Sequence, residues 1–242
     1  MDGTRLDIKL VELGLYESRA RAASAIKTGH VKIDGKTATK PSQKVANNNI
    51  IEAEQEHPWV SRAGIKLAHA LKLFNIDVSG KTCLDVGSST GGFTEVLLDN
   101  GARKIYAVDV GQGQLHNKLK GHPKVVSMEQ TDARTLRADM FDPLPQIVVC
   151  DASFISATKI LEKPLSIVQP GAVLISLVKP QFEVGRENIG RGGLVKTEEL
   201  AKKALTFVVN WVSELGWEVR ATNLSPIKGG DGNIEYLLYA RK

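Results

Sequence analysis

The spacing of apolar residues changes character along the chain, helical over short spans before Asn47 and alternating between strand-like runs and helical stripes after Thr82. The segment from Thr4 to Gly14 predicts a helix capped by Thr4, with Asp7 three residues on and Gly14 as its stop. A second helix is predicted from Ser18, a good N-cap, to Thr28, ending at Gly29. Val31 to Lys36 then reads as a short strand and turn. Polar and acidic residues surround the apolar pair Ile50-Ile51 between Asn47 and Pro58, which predicts a linker. Pro58 biases His57 towards extended backbone, so no helix is expected through this point.

Beyond the linker, Ser61 is the expected cap of a helix reaching about Asn75, with Leu67, Ala70, Leu71 and Phe74 on its apolar face. Lys66 falls at the edge of that face, where a snorkelling surface lysine is the commoner outcome. Strands are predicted to end at Asp85, Asp109, about Met128, Asp151 and Lys179, with helices at 92–100, 155–168 and 197–215. Thr197 caps the last helix, and Leu200, Ala204, Val208, Trp211 and Leu215 form its stripe. This alternation predicts an α/β fold with a doubly wound, mostly parallel sheet. The tail departs from it, since Trp217 to Thr222 and Ile234 to Ala240 lack a crossover helix and should pair antiparallel. The expected organisation is a small α+β domain at 1–56, a linker at 57–61 and the large α/β domain at 62–242.

Composition narrows the function classes. Of 242 residues, 42% are hydrophobic and 24% charged, the ordinary globular range. The formal net charge is +5, and residues 1–49 hold nine Lys or Arg against five acids, which suits a polyanionic partner. The apolar run Ala172 to Val178 is far shorter than the ~20 residues of a membrane-spanning helix. The N-terminus shows no secretory h-region, and Cys83 and Cys150 sit in predicted buried strands without Cys-x-x-Cys spacing. Reduced core thiols and a cytoplasmic location are therefore expected. The five histidines form no metal-binding cluster, so no metal is expected.

Candidate chemistry begins at Asp85-Val86-Gly87-Ser88-Ser89-Thr90-Gly91-Gly92-Phe93, a strand, glycine turn and helix start. Its glycines allow close backbone approach to a ligand, and Asp109 ends the next strand, where nucleotide-binding folds place an acid on a ribose hydroxyl. The Gly-x-x-x-Gly-Gly spacing argues against the pyrophosphate-binding Gly-x-Gly-x-x-Gly of NAD sites. It resembles motif one of Rossmann-like S-adenosylmethionine methyltransferases. That resemblance implies cofactor contacts from Asp85, Gly87, Ser88, Ser89, Gly91, Gly92 and Phe93, from Asp109 and Val110, and from Asp132 and Ala133 at the third strand end.

Parallel strands place ligands at their carboxyl ends, so Asp85, Asp109, Asp151 and Lys179 converge there, joined by Glu235 at the start of the antiparallel strand. Lys66, Asp151, Lys179 and Glu235 resemble the Lys-Asp-Lys-Glu tetrad of RNA ribose 2′-O-methyltransferases. A ribose 2′-OH is a poor nucleophile that must be held in line with the methyl donor. In this reading Lys179 takes or steers the hydroxyl proton, Lys66 supplies a neighbouring positive charge, and Asp151 and Glu235 orient the lysines and the sugar. Transfer to a base amine usually goes with Asp or Asn followed by Pro-Pro and an aromatic, whereas here the fourth strand ends Asp151-Ala152-Ser153-Phe154.

Residues 4 to 50 resemble the alpha-L RNA-binding module of small-subunit ribosomal protein four, which implicates Arg5, Arg19, Arg21, Lys27 and Lys32 in RNA contact. Together with Val108 to Leu115, Val178 to Arg186, Ser225-Pro226-Ile227 and Gly232 to Glu235, the motifs resemble the TlyA family over nearly the whole chain. The resemblance implies an S-adenosylmethionine-dependent 2′-O-methyltransferase acting on cytidine in ribosomal RNA, with the ribosomal subunit as partner. Departures are His57-Pro58-Trp59 where the family often has Arg or Tyr, Asp132 in place of Asn, and Ala152 in place of Leu. An RNA-binding assembly factor with an inactive methyltransferase domain is the alternative. Pore formation, suggested by the name hemolysin that many members carry, finds no amphipathic or spanning segment in this sequence.

Overall fold

The computed structural model describes residues 3–16, 18–54 and 57–242, in two compact units, Met1–Pro58 and Trp59–Lys242. The first unit runs β1 (Thr4–Arg5), α1 (Leu6–Glu12), α2 (Arg19–Lys27), β2 (Val31–Ile33), β3 (Lys36–Thr37), β4 (Lys44–Val45) and β5 (Ile51–Ala53). Thr4 does not cap α1; it pairs with Val45 in a two-stranded ladder. The helix needs no side-chain cap because the N–H groups of Leu6 and Asp7 donate to the carbonyls of Gln43 (2.7 Å) and Pro41 (3.1 Å). Ser18 does cap α2, accepting from Arg21 N at 3.3 Å.

Leu6 and Leu10 of α1 pack against Ala22, Ala25 and Ile26 of α2 over Val31 and Ile33 of β2. The β2–β3 hairpin turns through Asp34 (φ 48°) and Gly35 (φ 77°), the left-handed pair that a two-residue turn requires. The stretch expected as a linker is partly sheet: Ile51–Ala53 is the third strand, antiparallel to β2. A three-residue strand carries too little alternation to stand out, and its partner lies far upstream. Gln55 and Glu56 of that stretch lie outside the described residues.

The second unit contains α3 (Ala63–Leu73), β6 (Thr82–Val86), α4 (Gly92–Asp99), β7 (Lys104–Val108), β8 (Val125–Met128), β9 (Ile147–Cys150), α5 (Ala157–Ile160), α6 (Glu162–Ser166), β10 (Val173–Val178), α7 (Pro180–Glu183), α8 (Glu198–Glu214), β11 (Glu218–Leu224) and β12 (Tyr236–Arg241). Its seven strands lie in the order β11-β12-β10-β9-β6-β7-β8. Strands β10, β9, β6, β7 and β8 are mutually parallel, and β12 runs antiparallel to both β10 and β11, as the sequence pattern predicts. The order of winding reverses between β6 and β9, which opens a crevice at their carboxyl ends.

Helices cover both faces. On one, Leu67, Ala70 and Leu71 of α3 and Phe93, Val96 and Leu97 of α4 pack on Cys83, Val149 and Leu237. On the other, α5, α6 and α8 pack on Leu84, Val148 and Leu174. The buried face of α8 is Ala201, Ala204, Val208 and Val212, turned one residue from the expected stripe so that Trp211 and Leu215 are only partly buried. The expected helix at 155–168 is two helices, the second carrying Pro164 in its first turn, where a missing N–H costs no hydrogen bond.

Ser61 does not cap α3; Arg62 precedes the helix without a side-chain bond. Ser61 Oγ instead fills the space beside Gly92, where a Cβ would come within 2.2 Å of it. Cys83 and Cys150 are buried free thiols, each pushed up to about 12 by burial. Among the described residues no helix is long and apolar enough to cross a membrane.

Candidate active site

Strand β6 delivers Asp85 one residue before its end, and the chain then turns through Gly87 at φ 76° and Gly91 at φ 95°. Both positions demand glycine for conformation and for space. A Cβ on Gly87 would lie 3.0 Å from Ala152 Cα, and one on Gly91 would lie 2.3 Å from Leu119 Cδ1. Asp85 is fully buried; Oδ2 accepts from Thr94 Oγ1 at 2.6 Å, while Oδ1 has no partner among the described residues. Burial pushes its carboxyl up to about 7, the Thr94 bond opposing and the nearby Asp151 and Asp109 charges adding to the rise.

Asp109 follows β7 and accepts from Ser89 N (2.8 Å) and Gly111 N (2.7 Å), so the glycine turn and the next loop are joined through one carboxylate. The loop itself is held from the residue after β8: Glu129 accepts three successive N–H groups, of Gly113 (3.0 Å), Gln114 (2.6 Å) and Leu115 (2.9 Å). Sequence reasoning passed over Glu129, whose role depends on a loop sixteen residues upstream. Val110 is 70% exposed beside Asp109. Asp132 is engaged by Arg134 at 2.6–3.0 Å, and that side-chain bond holds its carboxyl below the usual range. Ala133 is buried, as are Ser88 and Phe93.

Two cavities meet here. One of about 530 Å³ is lined by Asp109, Val110, Asp132 and Ala133. The other, of about 460 Å³, is lined by Lys66, Asp151, Lys179 and Glu235 as well as Ser88, Gly92 and Phe93. Gly87, Ser89, Asp151, Ser153 and Phe154 belong to both, so the glycine turn is their common wall.

The four residues of the second cavity form a row of alternating charge. Lys66 Nζ donates to Glu235 Oε2 at 2.6 Å and to Asp151 Oδ2 at 3.5 Å. Lys179 Nζ lies 2.7 Å from Asp151 Oδ1, an ion-pair contact outside hydrogen-bond geometry, and donates to Asp151 O (3.1 Å) and Ser153 Oγ (2.8 Å). Asp151 thus stands between the two lysines. Lys66 is 6% exposed and does not snorkel, because two carboxylates meet its charge inside the protein. Glu235 precedes β12 rather than lying within it, and Tyr236 after it faces the opposite core.

Phe154 and Phe182, which the sequence reading did not single out, stand at this cavity with ring centroids 5.4 Å apart. Phe154 is 91% exposed on a left-handed backbone (φ 66°), an arrangement that an L-residue adopts at a cost. Its only sequence signal was an aromatic three residues past Asp151.

In the first unit, Asp7 gathers two of the expected RNA contacts. It accepts from Arg5 (3.0 Å) and Arg19 (3.1 Å), and these bonds, Arg5 first, hold its carboxyl down at about 2. Lys27 and Lys32 are exposed, and Arg21 is half-buried in the first turn of α2.

A switch-point crevice with a glycine turn, an acid at the second strand end and an antiparallel last strand defines a Rossmann-like methyltransferase. Its crevice fits S-adenosylmethionine: Gly87 brings a turn without a side chain to both cavities, the Asp109 carboxylate lines the first, and Asp85 beneath the turn keeps a buried oxygen without a partner among the described residues. The chain belongs to the FtsJ-like methyltransferase family, which matches residues 59–242, and carries an S4 domain at residues 4–51. It is 43% identical to the 16S/23S rRNA (cytidine-2′-O)-methyltransferase TlyA of Mycobacterium tuberculosis, over 98% of this chain and 89% of that protein. It is 40% identical to Hemolysin A of Brachyspira hyodysenteriae, over 97% and 98%. The solved structure of a hemolysin-named protein from Streptococcus thermophilus superposes with a TM-score of 0.79 at 39% identity, covering all of this chain and 89% of that one.

Proposed function

We propose that this chain is an S-adenosylmethionine-dependent ribose 2′-O-methyltransferase acting on cytidine in cytoplasmic ribosomal RNA, with its S4 domain contributing RNA affinity. The observation that carries the reading is the buried row Glu235–Lys66–Asp151–Lys179 opening beside the glycine turn. When bound, the cofactor supplies an electrophilic methyl group on a sulfonium. Asp109 and Val110 would hold its adenosine half, with Gly87 and Asp85 beside the methionine half.

The remaining chemistry belongs to the protein. Asp151 meets Lys179 Nζ with one carboxylate oxygen and Lys66 Nζ with the other, which orients both lysines. Lys179 lines the second cavity, held against Asp151 and Ser153 of the wall that cavity shares with the first, and there it takes or steers the proton leaving the 2′-OH. Lys66 and Glu235 form the back of the cavity and orient the sugar. The exposed Phe154 ring offers a stacking face for a base taken out of an RNA helix. The name of the Mycobacterium tuberculosis relative, a cytidine-2′-O-methyltransferase of 16S and 23S rRNA, supports the acceptor.

The test is Lys179→Ala in single-turnover methylation of ribosomal RNA with 2′-O-methyl mapping. A loss of about 10²–10⁴-fold with RNA binding retained is expected. Undiminished transfer would sink the role given to Lys179.

A further inference from the structure

Gln181 lies two residues beyond Lys179, in α7, and lines the same cavity. Its amide is oriented by a relay of hydrogen bonds. Asn233, 4% exposed, donates to Asp231 through both its backbone N (3.1 Å, to Oδ1) and its Nδ2 (2.9 Å, to Oδ2), and is itself fixed by Val195 N and Gly193 O, both at 2.9 Å. Burial works against the Asp231 charge, but the bonds from Asn233 and Gln181 outweigh it and hold the carboxyl below its ordinary range. As a carboxylate, Asp231 only accepts, so it must face the amide nitrogen of Gln181, which donates to Asp231 Oδ2 at 3.3 Å. The opposite orientation would set two acceptors against each other. Gln181 Oε1 is therefore the acceptor left over, buried and without a partner among the described residues.

We infer that Gln181 is a specificity-determining residue that accepts a hydrogen bond from the exocyclic amine of the target pyrimidine. The inference rests on the ribose methyltransferase reading and deepens it. Cytosine and uracil have nearly the same size and stacking surface, so Phe154 cannot separate them. They differ at position 4, where cytosine has an amine donor and uracil a carbonyl acceptor. Against Gln181 Oε1 the amine pairs, whereas a carbonyl leaves two desolvated acceptors facing each other, the situation that polar sites discriminate most strongly. Gln181 Oε1 already lacks a partner among the described residues, so no protein hydrogen bond is broken to make the contact.

The experiment uses the full chain and ribosomal RNA whose target cytidine, located first by mapping, is replaced by uridine or by the 2-pyrimidinone nucleoside, which lacks the amine. For the unaltered protein, kcat/KM should fall about 10- to 100-fold with either replacement. Gln181→Met, close in size but without the acceptor, should bring cytidine down to the level of the replacements, compressing the ratio to within about threefold. Binding of S-adenosylhomocysteine by calorimetry checks that the variant is folded. Should it not fold, Gln181→Leu takes its place under the same comparison, so that the amine and the residue are each tested. Equal rates on cytidine and 2-pyrimidinone, or an unchanged ratio in Gln181→Met, overturn the inference. Absence of transfer to any ribose in the unaltered protein overturns instead the reading on which it rests.

Discussion

The buried charge row makes a prediction in which stability and activity separate. Lys66 and Glu235 have side chains 7% and 3% exposed and meet at 2.6 Å. Lys66→Met removes the sole cation paired with Glu235 among the described residues, and breaking a buried pair from one side costs about 3–5 kcal/mol. Glu235→Gln is milder, because Lys66 keeps Asp151 at 3.5 Å and the amide oxygen of the new side chain, so about 1–2 kcal/mol is expected. Replacing both, as Lys66→Met with Glu235→Leu, should recover most of the loss, since apolar residues of similar volume often substitute for a buried pair at no net cost. All three variants should lose methylation. The three tryptophans, Trp59, Trp211 and Trp217, all lie in the second unit, so their fluorescence in urea reports that unit alone. With a slope of about 2 kcal/mol per molar, Lys66→Met should move the midpoint by about 2 M. Lys66→Met no less stable than Glu235→Gln, or a double variant as unstable as Lys66→Met, would refute the account, and an active double variant would refute the catalytic one.

Asp85, raised to about 7, holds a proton in the folded chain that the unfolded chain releases near pH 4, so stability should fall as pH rises between those values. Asp85→Asn should flatten that slope, by about 4 kcal/mol at most across the window; unchanged urea midpoints from pH 4 to 8 relative to the parent would count against it. Arg19, held by Asp7 with its side chain 61% exposed, should on replacement by Ala weaken RNA binding and reduce the salt slope by about one, measured by titration at several salt concentrations. A slope that does not change removes Arg19 from the phosphate contacts.

What the sequence determined by itself was local or periodic. The glycine turn is legible because positive φ at Gly87 and Gly91 is a demand on the residue, and the parallel sheet is legible because strand and helix leave different apolar periods. Ser18 and Thr197 cap their helices within three residues, so their role is written beside them. Thr4 and Ser61 resemble them in sequence and cap nothing, since a turn near residue 41 and the surface of Gly92 decide their use.

Tertiary structure decided everything that depends on distant groups meeting. Lys66 is buried only because Asp151, 85 residues away, and Glu235, 169 residues away, meet its charge. The same holds for the placing of Asp151 between two lysines, for the loop held by Glu129, and for the amide of Gln181 set by Asp231 fifty residues on. A hydrogen bond or ion pair is specified by angstroms and orientation, and a one-dimensional pattern carries periods and faces but no such distances.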